Sequence, residues 1–90
     1  MNKKDLKREF NGRLSELRKI INSYELIPDA PSDEFDSINH QVLSNLYRGA
    51  DVKKITRIIE SELITNYGFF ADEIVPDKMA LEVIEWWQSL

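Results

Sequence analysis

Residues 33–67 read DEFDSINHQVLSNLYRGADVKKITRIIESELITNY, and this stretch decides the fold. Phe35, Ile38, Val42, Leu43 and Leu46 recur at three- and four-residue steps, the period of one helical face. The pattern stops at Gly49-Ala50 and restarts with Val52, Ile55, Ile59, Leu63 and Tyr67. Gly49 suits the left-handed residue that closes a helix, and Asp51 suits the cap that opens the next. The spacing predicts one helix over 33–48, capped by Ser32 or Asp33, and another from Val52 that ends at Gly68. With only Gly49 and Ala50 between them, the two form a tight hairpin.

Upstream, Leu6, Phe10, Leu14, Leu17, Ile21 and Tyr24 keep helical spacing without a break, which predicts a helix over 3–24. Asn2 is its expected cap, with Asp5 placed to reach back. Gly12 lies inside and costs about 1 kcal/mol relative to Ala, which the long apolar stripe outweighs. Downstream, Pro76 occupies a favoured first-turn position and a fourth helix runs towards Leu90. Residues 25–31 form a loop with two prolines, and residues 68–75 form a mostly apolar loop. No stretch alternates with period two for long enough to read as a strand. The expectation is an all-α fold, a compact four-helix domain covering residues 1–90.

Composition narrows the function. The 90 residues carry 12 Lys and Arg against 16 Asp and Glu, a net charge of −4, with 42% hydrophobic and 31% charged residues. That is a globular composition, not a disordered one. There is no cysteine, which removes disulfides, thiolate metal sites and cysteine nucleophiles. No apolar run approaches the ~20 residues of a membrane span. No apolar stretch follows Lys3-Lys4 as it would in a signal peptide. A cytoplasmic location is the resulting expectation.

The stretch Ile27-Pro28-Asp29-Ala30-Pro31-Ser32-Asp33-Glu34-Phe35-Asp36 leads into an amphipathic helix, followed by Leu46-Tyr47-Arg48-Gly49-Ala50-Asp51 and later Tyr67-Gly68-Phe69. This order resembles the YugE-like family of small bacterial proteins over roughly residues 22–70. The resemblance implies a small helical fold in a bacterial cytoplasm and no assigned activity.

Charge is unevenly placed. Residues 1–21 hold seven basic and three acidic groups, residues 22–51 one basic and six acidic, and residues 52–90 four basic and seven acidic. At 100° per residue, Lys4, Lys7, Arg8, Arg18 and Lys19 share the side of the first helix opposite its apolar stripe. This predicts an exposed, purely basic ridge. Nucleic-acid binding through that ridge is one reading, but no aromatic residues interleave it to stack bases. A solvated ridge that balances the acidic half is the simpler one.

A helix-turn-helix reading of the hairpin is rejected, because Asp33, Glu34 and Asp36 beside Lys53, Lys54 and Arg57 would repel phosphates. The same acids lack the spread of ligands that a calcium loop requires. Helix capping and the helix dipole account for them, and as a surface they suit a basic partner. His40 is the only histidine, and Asp36, one turn before it, is placed to pair with it. No nucleophile, metal cluster or phosphate loop accompanies that pair, so no catalytic, cofactor or metal residues are assigned.

The fourth helix is the most informative feature. Met79, Ala80, Leu81, Val83, Ile84, Trp86, Trp87 and Leu90 wrap well beyond the stripe of an ordinary surface helix. Adjacent Trp86 and Trp87 are not expected to point together into one small core. Either the 68–75 loop, with Phe69 and Phe70, folds over this helix, or one tryptophan belongs to an interface.

The leading expectation is a non-enzymatic protein-interaction domain that contacts a partner or a second copy of itself through Asp33, Glu34, Asp36, Trp86 and Trp87. Bacterial immunity and antitoxin proteins share this size, charge and class. A nucleic-acid binder using the first helix is the alternative. A ligand carrier with a pocket around Tyr24, Tyr47 and His40 is a third reading.

Overall fold

In the computed structural model, residues 2–90 are described. Four α-helices follow in order, α1 (Lys3–Asn22), α2 (Asp36–Tyr47), α3 (Val52–Thr65) and α4 (Pro76–Gln88), with a single 3₁₀ turn at Ala71–Glu73 before the last. No strand occurs among the described residues.

Local chemistry sets the ends. Asn2 Oδ1 accepts from the Asp5 amide at 3.0 Å and Asp51 Oδ1 accepts from the Lys54 amide at 2.9 Å, so both expected caps form. Gly49 and Gly68 sit at φ of 84° and 74°. There the Ala50 amide reaches back to the Asn45 carbonyl and the Phe69 amide to the Leu63 carbonyl, the closing bonds of helix C-termini.

α2 starts three residues later than its pattern predicts. Residues 31–36 make successive tight turns, Glu34 to Pro31 and Asp36 to Asp33, and the first regular helical bond runs from the Asn39 amide to the Phe35 carbonyl. The Glu34 carbonyl is taken by the Tyr67 hydroxyl at 2.7 Å, and Asn22 Nδ2 holds the Ser32 carbonyl at 2.8 Å. Neither Ser32 nor Asp33 caps the helix; Phe35 occupies that position with no side-chain hydrogen bond. Buried Phe35 instead packs on the Tyr67 ring, with centroids 4.9 Å apart. The 68–75 loop is more ordered than expected, because the Phe70 amide donates to Glu73 Oε1 while the Glu73 amide donates to the Phe70 carbonyl.

The helices close a ring, α1 on α2, α2 on α3, α3 on α4 and α4 on α1. Direction follows from the pairs that meet. Arg18 of α1 meets Asp36 at the start of α2, whereas Phe10 meets Tyr47 at its end. Tyr67, just past α3, lies on Phe35, and Trp87 near the end of α4 lies on Tyr47. Neighbours are therefore antiparallel, as short connections favour. Leu14, Leu17 and Ile21 from α1 pack with Ile38, Val42, Leu43 and Leu46 from α2. Ile55, Ile59 and Leu63 of α3 and Met79, Ala80 and Val83 of α4 complete the core. The 68–75 loop adds buried Ile74 and half-buried Phe69, but Phe70 remains 74% exposed and covers nothing.

α1 has 20 residues against 12 to 14 in the others, an excess of about 10 Å at 1.5 Å per residue. Every residue from Asn2 to Arg8 is exposed. The first turns of α1 thus overhang the bundle end where α2 and α4 finish.

Candidate functional site

That end carries a ladder of aromatic rings drawn from three helices. Phe10 of α1 lies between His40 and Tyr47 of α2, with centroids at 5.7 and 6.0 Å. Tyr47 meets Trp87 of α4 edge-on at 5.0 Å, and Trp87 meets Trp86 at 5.9 Å. Such stacked, tilted and edge-on contacts are common geometries of aromatic pairs. The ladder has a local cause on α2: His40 and Tyr47 are seven residues apart, two turns on one side of the helix, and Phe10 fills the space between them.

Tyr47 is the outward member, 44% exposed. Its hydroxyl donates to Glu9 Oε2 at 2.9 Å. Partial burial and the neighbouring carboxylate both raise its pKa, so the phenol stays protonated across the neutral range. Exposed Leu6 precedes Phe10 by one turn on the same stripe, and Leu90 follows Trp87, each with half its surface in solvent. Together these side chains form an apolar ledge under the overhanging start of α1.

Both tryptophans are half-buried against the core, and they contact each other. The two adjacent indoles, not expected to point together into one small core, thus both pack against it in part. Their position at the last turns of α4, beside the end of α2, gives each indole a packed face and a solvent face.

The acidic residues lie at the other end. Asp33 and Glu34 are exposed in the turns before α2. Asp36 is engaged. Arg18 donates to it through Nε at 3.0 Å and Nη2 at 2.6 Å, and Asn39 Nδ2 adds a third bond at 3.2 Å. The Arg18 hydrogen bonds, aided by Asn39, hold the Asp36 carboxyl below the usual carboxylate range against the opposing effect of burial. Asp36 therefore does not pair with His40, which packs on Phe10 instead.

Arg18 also leaves the basic ridge. It sits 40° around the helix from Leu14 at 100° per residue, close enough to the apolar stripe to reach the start of α2. The exposed basic set on that side is Lys4, Lys7, Arg8 and Lys19. Trp86 and Trp87 are thus brought together, while Asp33, Glu34 and Asp36 stand at the opposite end of α2 from them.

Tyr24 and Tyr47 do not share a pocket with His40. The Tyr24 hydroxyl donates to Glu82 of α4 at 2.8 Å, and desolvation followed by that carboxylate pushes its pKa up to about 12.

Two concave features escaped the sequence reading. A cavity of about 510 Å³ lies inside the 25–31 loop, walled by Leu26, Ile27, Pro28 and Phe35. Glu25 and Asp29 shape it at φ of 49° and 61°. An open groove of about 730 Å³ runs between α3 and α4, with Val52, Thr56 and Leu81 along it and Lys53, Arg57, Lys78, Glu60 and Asp77 around it. Its charges are mixed and it holds no aromatic ring. Among the described residues no three acidic or histidine side chains cluster as a metal site would require. No helix there is long and apolar enough to cross a membrane.

No protein family, curated protein or solved structure matches the chain.

Proposed function

We propose that this protein is a non-enzymatic interaction domain. Its aromatic ledge docks a protein helix that carries an apolar stripe flanked by basic residues. The observation that carries this reading is Tyr47, an exposed ring fixed between Phe10 and Trp87 with its hydroxyl tied to Glu9. A ring already held in place loses little conformational freedom on binding, and aromatic anchors of this kind dominate interface energetics.

The charge around the ledge selects the partner. Glu9 and Arg13 both act on Tyr47, exposed Arg48 follows it, exposed Glu85 precedes Trp86, and the last turn of α4 has no basic residue. On the α4 side, where Glu85 has no cation beside it in the last turn, a basic residue of the partner helix is favoured over an acidic one. The alternative, nucleic-acid binding by α1, has fewer cations to draw on because Arg18 is committed to Asp36.

The test is a titration with a synthetic amphipathic helical peptide of Leu and Lys, followed by tryptophan fluorescence, with a scrambled peptide of equal composition as control. Saturable binding of the amphipathic peptide, at least about tenfold tighter than the scramble, is expected. Equal affinities, or no binding, contradict the reading.

A further inference from the structure

Asn11 is followed by Gly12, and no other asparagine of the chain precedes a glycine. An Asn-Gly link is open to attack by its own backbone nitrogen, because glycine places no Cβ beside that nitrogen. Both residues are exposed, and nothing lies within 4 Å of a Cβ built on Gly12. They are also weak helix formers side by side within α1. The helix itself protects them. Its bonding pattern ties the Gly12 amide to the Arg8 carbonyl, and its backbone angles turn the Gly12 nitrogen away from Asn11 Cγ.

That protection is local. From Asn2 to Arg13 no residue is buried, and Leu14 is the first core residue of α1. Residues 3–11 touch α2 through Phe10, on the His40 and Tyr47 rings, and through Glu9, at the Tyr47 hydroxyl. A segment with so little buried surface opens at a smaller cost than the whole bundle.

We infer that Asn11 is a spontaneous modification site, gated by opening of the first half of α1. In the open segment the Gly12 nitrogen attacks Asn11 Cγ. The N–Cγ bond forms, the Cγ–Nδ2 bond breaks, and Nδ2 leaves as ammonia with the amide proton. Water then adds across one carbonyl of the resulting succinimide and opens it to aspartate or isoaspartate. Water is the only co-reactant, and nothing is oxidised or reduced. Either product places a carboxylate one turn from Lys7 and Arg8. Isoaspartate also inserts a methylene into the main chain, which breaks the hydrogen-bond register of α1 and releases Phe10 from His40 and Tyr47. The site stands whether or not the ledge docks a partner.

The experiment follows the full chain by peptide mapping and mass spectrometry at mildly alkaline pH, native and in guanidinium chloride. The native rate at Asn11 divided by the denatured rate gives the fraction of chains open there, and urea denaturation gives the fraction globally unfolded. The first fraction should lie below about one tenth, yet exceed the second at least about tenfold. Asn2→Ala removes the cap that holds the Asp5 amide. It should raise the native rate about fivefold and leave the denatured rate unchanged. Gly12→Ala should slow the reaction in both states. Equal rates in the two states overturn the inference, as does an open fraction no larger than the globally unfolded one. A native rate that Asn2→Ala leaves unchanged overturns it too.

Discussion

Arg18 and Asp36 meet at two points, Nε on Oδ1 and Nη2 on Oδ2, across the junction of α1 and α2. The planar guanidinium matches the carboxylate in a way that an ammonium cannot. Because the pair also fixes Asn39, the start of α2 is set by a network and not by a cap. Arg18→Lys should therefore be less stable than the wild type although charge is kept. Asp36→Asn should lower Tm by roughly 5 °C, the scale on which small domains respond to one lost interaction.

The pH dependence of that loss has a definite sign. The folded-state pKa of Asp36 is depressed. Its contribution is therefore complete above the ordinary carboxylate value of about 3.9 and disappears as pH falls through the lower folded value. The Tm gap between wild type and Asp36→Asn should be constant near neutrality and close in acid. Thermal melts followed by circular dichroism across that range check it. A gap that widens in acid would contradict the assignment.

At the alkaline end the roles reverse. The folded pKa of Tyr24 is raised to about 12, above the ordinary tyrosine value of about 10. The folded state keeps a proton that the unfolded state releases between these values, so stability falls as pH rises through the interval. Tyr24→Phe should reduce this alkaline loss. Ultraviolet difference absorbance of tyrosinate should show one tyrosine titrating near the upper limit in the wild type and absent from the variant.

Glycine substitutions should act in opposite directions. Gly12 is mid-helix with no atom within 4 Å of an added methyl, so Gly12→Ala should stabilise by about 0.5–1 kcal/mol. Gly49 is equally open but left-handed, with φ of 84°. Gly49→Ala should destabilise by about 1 kcal/mol through backbone strain. Urea denaturation of the two variants measures both, and equal signs would contradict the account of the turn.

Asn39 is the one buried polar side chain in the core, and its Oδ1 accepts no hydrogen bond among the described residues. A buried unpaired acceptor costs about 1–3 kcal/mol. Asn39→Leu fills a similar volume and leaves Asp36 held by Arg18. It should be at least as stable as the wild type, by up to about 1 kcal/mol, in the same urea measurement.

Much of the fold was legible because it rests on short-range signals. The apolar spacing of α1, the Asn2 and Asp51 caps, Gly49, Gly68 and Pro76 each act within one or two turns. Together they gave four helices and the tight α2–α3 hairpin. The late start of α2 was not legible, since it depends on Tyr67 reaching the Glu34 carbonyl from 33 residues away. The fate of Arg18 also escaped a reading by helical face, because a long side chain at the border of a stripe goes to whatever acid the next helix supplies.

The candidate site was half visible. Trp86 and Trp87 marked α4 as unusual, yet Tyr47, which Trp87 meets, and Phe10 beyond it lie on other helices, and no spacing within α4 points to them. The seven-residue step between His40 and Tyr47 was the available signal on α2. Asp36, grouped with Asp33 and Glu34 by sequence, belongs to the internal network instead.

The most direct test of the ledge as a docking surface is a two-dimensional NMR titration of the ¹⁵N-labelled full chain with the amphipathic Leu and Lys peptide. The indole N–H signals of Trp86 and Trp87 and the amides of residues 44–47 and 84–90 should shift together and saturate, while those around Val52 and Leu81 stay in place. Shifts confined to the α3–α4 groove, or no saturable shifts at the ledge, would contradict it.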